Sequence, residues 1–293
     1  MKNSVWIKKN TSSLAGKTVA VSGSTGGLGR VLCEYLASLG ADLVLLDRNI
    51  NKSNALKEHL QLKFPELSVR QILIDLEDVA STKRAAASLW ELPIDYLVLN
   101  AGAYYIPKHE CALGFNNIFQ INFISPYYLA RTLAPQISAR GGKIVAVGSI
   151  AHNYSKIKED DIDFSSVRAA SKVYGIAKRF LMFSLYGLSE KADLSITHPG
   201  ITVTGITAHY PKPIYAIIKY PMKLIFMSPR RAALSILRGL FERCGEREWI
   251  GPRIFNVWGL PKRQKLTTCS SEEAAKIQRI ADEIYEKMKD MPQ

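Results

Sequence analysis

Short apolar runs alternate with longer amphipathic stretches through the first two-thirds of the chain. The runs Lys17–Ser22, Asp42–Asp47, Val69–Ile74, Tyr96–Leu99, Lys143–Ser149 and Leu194–His198 carry Val, Ile and Leu at successive positions. Continuous apolar character is what a strand needs when both of its faces are covered. Between these runs lie Leu28–Leu39, Asn54–Lys63, Asn116–Ala134 and Ser166–Glu190, whose apolar residues recur at helical spacing. Strand and helix in alternation predict an α/β fold, a doubly wound parallel sheet with helices on both faces.

After His198 the pattern changes. Pro199-Gly200 breaks the strand, and a stretch rich in Pro and aromatic residues follows to Met227. A helix is predicted from Pro229, since proline fits a first turn, to about Phe241. Trp249-Ile250-Gly251 reads as a final edge strand. Ser270-Ser271-Glu272-Glu273 reads as a capping box for a last helix, with Ile277, Ile280, Ala281, Ile284 and Met288 along one face, packed on the rest. Without repeats or low-complexity linkers, residues 1–293 are expected to form a single domain, its core at about 17–255 and a basic tail and helix at about 256–293.

Composition narrows the classes. Apolar residues make up 47% of the chain and charged residues 22%, which speaks against disorder and coiled coil. Cys33, Cys111, Cys244 and Cys269 are scattered without ligand spacing, so reduced thiols are expected and no metal. No apolar segment follows the lysines of Met1–Asn10 as a signal peptide requires, and no run of 18 apolar residues is long enough to span a bilayer. The expected location is cytoplasmic. A net charge of +13 fits attraction to a dinucleotide, a membrane surface or nucleic acid, and by itself selects none of them.

The first strand supplies chemistry. Val19-Ala20-Val21 runs into Ser22-Gly23-Ser24-Thr25-Gly26-Gly27-Leu28-Gly29, and a helix follows at once. Glycines let the backbone turn sharply and approach a pyrophosphate, which the positive end of the helix then attracts. The second strand ends at Asp47, 24 residues after Gly23, where a carboxylate accepts from both ribose hydroxyls and repels a 2′-phosphate. Arg48 beside it suits adenine stacking or a 2′-phosphate. NAD or NADP is the expected cofactor, with Asp47 favouring NAD. Asp75, with Leu76 next to it, follows the third strand within reach of the adenine amine. Asn100-Ala101-Gly102, after the fourth, offers small residues where a cofactor passes close by. These features together describe a Rossmann-type sheet.

From Lys17 to Thr204 the chain resembles the short-chain dehydrogenase/reductase family. The loop from Ser22 to Gly29, Asp75, Asn100–Gly102, Asn122, Ser149, Tyr174-Gly-Ile-Ala-Lys178 and Pro199-Gly-Ile-Thr-Val-Thr204 come in family order. The Phe119–Phe123 segment around Asn122, the stretch from Gly148 and the 25-residue gap from Ser149 to Tyr174 look like the retinol-dehydrogenase-like branch. The resemblance implies that Tyr174 is the acid/base, Ser149 binds the substrate oxygen, and Asn122 holds a relaying water. It implies that Lys178 holds the nicotinamide ribose, and that Pro199, Gly200, Ile201 and Thr204 contact the carboxamide. Lys178 stands at i+4 from Tyr174, so an ammonium there is expected to lower the phenol pKa from about 10. A rival register, Arg168-Ala-Ala-Ser171-Lys172, puts an arginine in the tyrosine slot. Ser22, Leu99, Gly148 and Ala177 depart from usual family residues without removing a proton-transfer group.

The segment 206–228 is aromatic and aliphatic with interleaved lysines and no acids. It suits a lid over a hydrophobic alcohol or ketone, a subunit interface, or a peripheral contact with an anionic membrane. The expected activity is NAD(P)-dependent interconversion of an alcohol and a ketone or aldehyde, by a homo-oligomer. A dinucleotide-binding regulator without turnover is the alternative. Nucleic acid is not an expected partner, because no binding motif accompanies the charge.

Overall fold

The computed structural model describes residues 2–104, 106–154, 169–189, 191–202 and 226–292. Among the described residues eight strands form one sheet, in the spatial order β3-β2-β1-β4-β5-β6-β7-β8. They are β1 Thr18–Ser22, β2 Asp42–Asp47, β3 Val69–Leu73, β4 Tyr96–Leu99, β5 Lys143–Val147, β6 Asp193–Thr197, β7 Glu248–Ile254 and β8 Trp258–Lys265. Every pairing is parallel except β7 with β8. The chain moves outward from β1 through β2 to β3, then returns to place β4 on the other side of β1. The crevice beyond the carboxyl ends of β1 and β4 is therefore the switch point at which such sheets take ligands.

Helices cover both faces, as the unbroken apolar strands predict. Strand residues alternate between two buried layers: Val19, Val21, Val98 and Val145 face one, and Ala20, Leu97, Leu99 and Ile144 face the other. The first layer is closed by α1 (Asn3–Asn10), α2 (Gly27–Ser38) and α3 (Ile50–Lys63), which bring in Trp6, Leu32, Leu36 and Leu60. The second is closed by α4 (Val79–Trp90), α5 (Asn117–Phe119), α6 (Ser125–Ala139) and α7 (Ala170–Tyr186). Helix α8 (Pro229–Phe241) packs Ile236, Leu237 and Leu240 on the first layer; α9 (Ser271–Asp290) packs its predicted stripe on the second. Caps follow the sequence: Asn49, Asp78, Ser228 and Ser270 accept from first-turn amides of α3, α4, α8 and α9.

Two differences from the expected elements have physical causes. Residues 116–134 are not one helix, because a π-helical turn at Gln120–Ile124 separates α5 from α6. Pro126 has no N–H, so the Asn122 carbonyl lacks its i+4 donor, and the Asn122 side chain donates to the Ile118 carbonyl at 2.8 Å. The second concerns the sheet edge. Trp249–Gly251 lies within β7, an inner strand, and the segment read as a basic tail supplies the edge strand β8. Pro261 and the lysines hide β8 from a search for apolar runs, yet they are residues an edge strand tolerates.

Candidate active site

At the carboxyl end of β1 the loop turns through Gly23, whose φ of +64° is left-handed. A Cβ there would lie 2.9 Å from Ala101 Cα, so only glycine fits between the two strand ends. At Gly29 a Cβ would stand 2.2 Å from the Gly23 carbonyl oxygen, which makes Gly29 the point where α2 closes on the loop. Asn100 donates from Nδ2 to the carbonyls of Ser22 at 2.9 Å and Gly23 at 3.1 Å, and Ser22 Oγ accepts from the amides of Asn100 and Ala101. The N-cap of α2 is Gly26, which has no side chain to cap with, and Gly26 and Gly27 are exposed. A helix start of this kind, with its amides unclaimed by a cap, fits a pyrophosphate.

Asp47 takes part in the same loop. Its carboxylate accepts from the Ser24 hydroxyl, from the Thr25 amide at 3.0 Å and from the Thr25 hydroxyl at 2.9 Å. A carboxylate has about four lone-pair sites. These bonds leave too few for the expected acceptance from both ribose hydroxyls, and Asp47 is buried. Arg48, next in sequence, is exposed. Asp75 accepts from the Glu77 amide in the turn after β3, and the Leu76 carbonyl accepts from Ser125. Leu28 is half-buried at the start of α2.

On the other side of the crevice Ser149, Tyr174, Lys178 and Asn122 come together. The Tyr174 hydroxyl is hydrogen-bonded to the Ser149 side chain. Lys178 Nζ donates to the Val147 carbonyl at 2.8 Å and lies 5.8 Å from the Tyr174 ring centroid. Asn122 donates to the carbonyls of Ala103 and Ile118, while its Oδ1 accepts from the Ala103 amide at 3.3 Å. Gly102 shows how tightly these groups converge, since a Cβ there would meet Asn122 Oδ1 at 2.7 Å and Lys178 Nζ at 3.6 Å. In the rival register Lys172 is exposed, whereas Lys178 is buried; Arg168 lies outside the described residues.

The electrostatics differ from the sequence expectation. Burial pushes the Tyr174 phenol up to about 12 against a lowering by the Ser149 hydrogen bond, and nearby Tyr104 raises it further. Burial also pulls Lys178 down to about 8. Its ammonium points at the Val147 carbonyl and is itself disfavoured by burial. In this state the phenol is protonated at neutral pH.

Past β6, Pro199 and Gly200 are buried and Gly200 has φ +79°; the Ile201 carbonyl accepts from the Met227 amide at 3.0 Å. Thr204 lies outside the described residues, as does most of 206–228.

Two groups at the site were not foreseen. Tyr104 sets its ring edge-on to Tyr174, with centroids 5.1 Å apart. His152, fully buried, binds the Ser149 carbonyl through Nδ1 at 2.5 Å and Thr268 Oγ1 through Nε2 at 2.8 Å. A carbonyl only accepts, so Nδ1 carries the proton and Nε2 accepts from Thr268. Arg179 ties the same corner together, donating to the carbonyls of His152 and Thr268 and pairing with Glu273. The histidine stands three residues after Ser149, a spacing visible in sequence. Its partner Thr268 is 116 positions away and carries no local signal.

A switch-point crevice with a glycine loop on one side and a serine, tyrosine and lysine on the other defines a dinucleotide-binding oxidoreductase fold. The family model for short chain dehydrogenases matches residues 17–210, and the chain belongs to that family. Among curated relatives, a short chain dehydrogenase of Aspergillus nomiae is 35% identical over 49% of this chain and 42% of its own length. The chain thus aligns with less than half of that relative. Polyprenol dehydrogenase of Mus musculus is 25% identical over 76% of this chain and 70% of its own. Among solved structures, an uncharacterised protein of Mycobacterium paratuberculosis superposes with a TM-score of 0.70 at 20% identity, covering 95% of this chain and 96% of its own. L-sorbose reductase of Gluconobacter frateurii, solved with NADPH and L-sorbose, gives 0.63 at 21% identity over 79% and 92%. These structural likenesses bear on the fold.

Proposed function

We propose that the protein is an NAD(P)-dependent oxidoreductase that interconverts a lipophilic alcohol with its ketone or aldehyde. The observation that carries this reading is the Tyr174 hydroxyl bonded to Ser149, beside buried Lys178 and Asn122, at the switch point of the sheet. The loop Gly23–Gly29, with Ser24, Thr25, Gly27 and Leu28, would hold the pyrophosphate. Asp47, Arg48, Asp75 and Leu76 would meet the adenosine, Asn100, Ala101 and Gly102 would line the cofactor's path, and Lys178, Pro199, Gly200, Ile201 and Thr204 would meet the nicotinamide side. When bound, the cofactor gives or takes the hydride.

The chain's own residues handle the proton. In carbonyl reduction Tyr174, protonated at neutral pH, donates to the substrate oxygen while Ser149 hydrogen-bonds that oxygen and holds it in line. Lys178, with a pKa of about 8, would then return a proton toward the phenolate through a water that Asn122 would hold. The resting protonation state is the one that reduction requires.

Support for a lipophilic substrate comes from the Tyr104 ring beside the phenol, from the apolar segment 206–228, and from the polyprenol-dehydrogenase relative. With Asp47 tied to the loop and Arg48 exposed, we expect NAD and NADP to be separated by less than about tenfold in affinity, or ~1.4 kcal/mol. A cytoplasmic homo-oligomer, with 206–228 as lid, interface or membrane contact, completes the reading. Turnover of fatty alcohols, retinoids, steroids and small sugars with both cofactors tests it. Activity confined to sugars removes the lipophilic substrate. Tight cofactor binding with no turnover, unchanged in Tyr174→Phe, replaces the enzyme with a dinucleotide-binding regulator.

A further inference from the structure

The tip of the β7–β8 hairpin combines three unusual features. The turn Ile254–Val257, closed by the Val257 amide on the Ile254 carbonyl at 2.9 Å, has both central residues left-handed: Phe255 at φ +49° and Asn256 at +57°. Asparagine is at home there; phenylalanine is a rare and unfavourable choice. The Phe255 ring is also the most exposed large apolar side chain among the described residues, at 91%, and it is flanked by exposed Ile254 and Trp258, which pair across the strands. Finally, no acidic residue occurs from Trp249 to Ser271: Arg253 stands beside the turn and Lys262, opposite Gly251, midway along β8, whereas Lys265 is opposite Glu248 at the other end of the hairpin. Arg263 is paired with Glu242 and Glu248; Arg253, Lys262 and Lys265 are exposed.

The location matters as much as the composition. Strand β7 runs parallel to β6, so its far end emerges at the same carboxyl edge of the sheet as the candidate active site. A Cβ on Gly200, at the end of that site, would touch the Val257 carbonyl at 2.7 Å, which fixes the hairpin tip against the crevice rim.

We propose that the β7–β8 tip docks the protein on an anionic lipid surface, with Phe255, Ile254 and Trp258 entering the headgroup boundary and Arg253 beside the turn and Lys262 further along β8 facing lipid phosphates and carboxylates. Aromatic and aliphatic side chains ringed by cations are the chemistry such an interface takes. A conformation unfavourable to phenylalanine, kept where asparagine would relieve it, places an apolar ring at the outermost point of a turn, where folding gains nothing from it. Docking there turns the crevice rim toward the bilayer. The inference stands on the hairpin alone and requires no turnover.

The test is co-sedimentation of the full chain with phosphatidylcholine vesicles, with and without phosphatidylserine, at low and high salt. We expect binding to the anionic vesicles, weakened by salt. Binding should fall about tenfold or more in Phe255→Asn/Trp258→Ser and in Arg253→Glu/Lys262→Glu. In Phe255→Asn alone the thermal midpoint should hold or rise, since asparagine accepts the left-handed turn. In a Trp90→Phe background, vesicles should blue-shift the emission of Trp258. Unchanged binding in both double variants overturns the proposal, as does equal binding to neutral vesicles. A vesicle-independent dimer lost in Phe255→Asn also overturns it, making the tip an interface between copies. Turnover of a short, water-soluble alcohol should be the same in these variants as in the parent. Loss of all turnover in the parent would instead count against the proposed function and leave the docking result standing.

Discussion

Asp47 and Lys178 are both buried ionisable groups on opposite sides of one crevice, and their surroundings differ completely. Asp47 is met by a hydroxyl, an amide and a second hydroxyl from the loop it faces, so its charge serves to hold Ser24 and Thr25 in place. Among the described residues, the Lys178 ammonium has its hydrogen bond to the Val147 carbonyl, and burial lowers its pKa to about 8. The cofactor side is thus preassembled by satisfied polar groups. On the side proposed for proton transfer, the Lys178 ammonium is disfavoured by burial, which leaves it able to change charge.

The largest effect should come from the side proposed for proton transfer. In Tyr174→Phe the ring and its edge contact with Tyr104 remain and the donor is lost. We expect kcat to fall by about 10²–10⁴, the range for a general acid, with cofactor affinity changed by less than about threefold. Stopped-flow hydride transfer and cofactor titration measure the two separately. Activity within tenfold of the parent would place the proton donor elsewhere.

Lys178→Met should make the resting protein more stable while removing its activity. The lysine pKa is depressed from 10.5 to about 8, so between these values the unfolded chain binds more protons and wild-type stability from this group rises with pH. Below pH 8 the penalty of the buried charge is fully present, about 3 kcal/mol for a shift of that size. Methionine removes that penalty but leaves the Val147 carbonyl without its donor, which costs about 1–2 kcal/mol. Urea unfolding should show a gain of about 1–2 kcal/mol at pH 7 that disappears by pH 10. A loss at every pH would mean that the ammonium is better paired than its burial implies.

His152→Phe tests whether the catalytic corner depends on the chain's far end. Phenylalanine can keep the edge contacts with Phe183 and Trp249 and loses the bonds to the Ser149 carbonyl and Thr268. We expect kcat to drop about tenfold, near 1.4 kcal/mol, through Ser149 misplacement, with cofactor affinity intact. An equal fall in cofactor affinity would point to a general loosening of the fold.

Legibility from sequence followed the same division. Strands buried on both faces announce themselves by unbroken Val, Ile and Leu, so the parallel sheet and its glycine loop were readable to within a residue or two. The pairing of Tyr174 with Lys178 was readable because a helix fixes i and i+4, whereas Asn122 and Ser149 joined them only through the family resemblance. Strand β8 was not, since an edge strand with Pro261 and lysines has no apolar period. The π-helical turn was foreshadowed by Pro126, four residues after Asn122, but a proline near a helix start is usually read as an ordinary first turn. The Tyr174 shift was misjudged because spacing gives proximity to an ammonium, whereas the sign came from burial, which depends on Tyr104 and the packed layer around it.

The smallest effect should be the most informative about Asp47. If its carboxylate is a brace, Asp47→Asn keeps an oxygen for Thr25 and turns an amide N–H toward Ser24, whose hydroxyl can accept instead. Affinity for NADH and NADPH should then change by less than about threefold for both. Asp47→Ala leaves the Ser24 and Thr25 donors without an acceptor, and should weaken both cofactors together by roughly tenfold, in line with ~1–3 kcal/mol for unpaired buried groups. If instead the carboxylate selects against a 2′-phosphate, Asp47→Asn should improve NADPH alone, by tenfold or more, with NADH weakened. The brace predicts parallel changes in the two cofactors and the selector predicts opposite ones, so isothermal titration of both variants with both cofactors separates them even where each single change is slight.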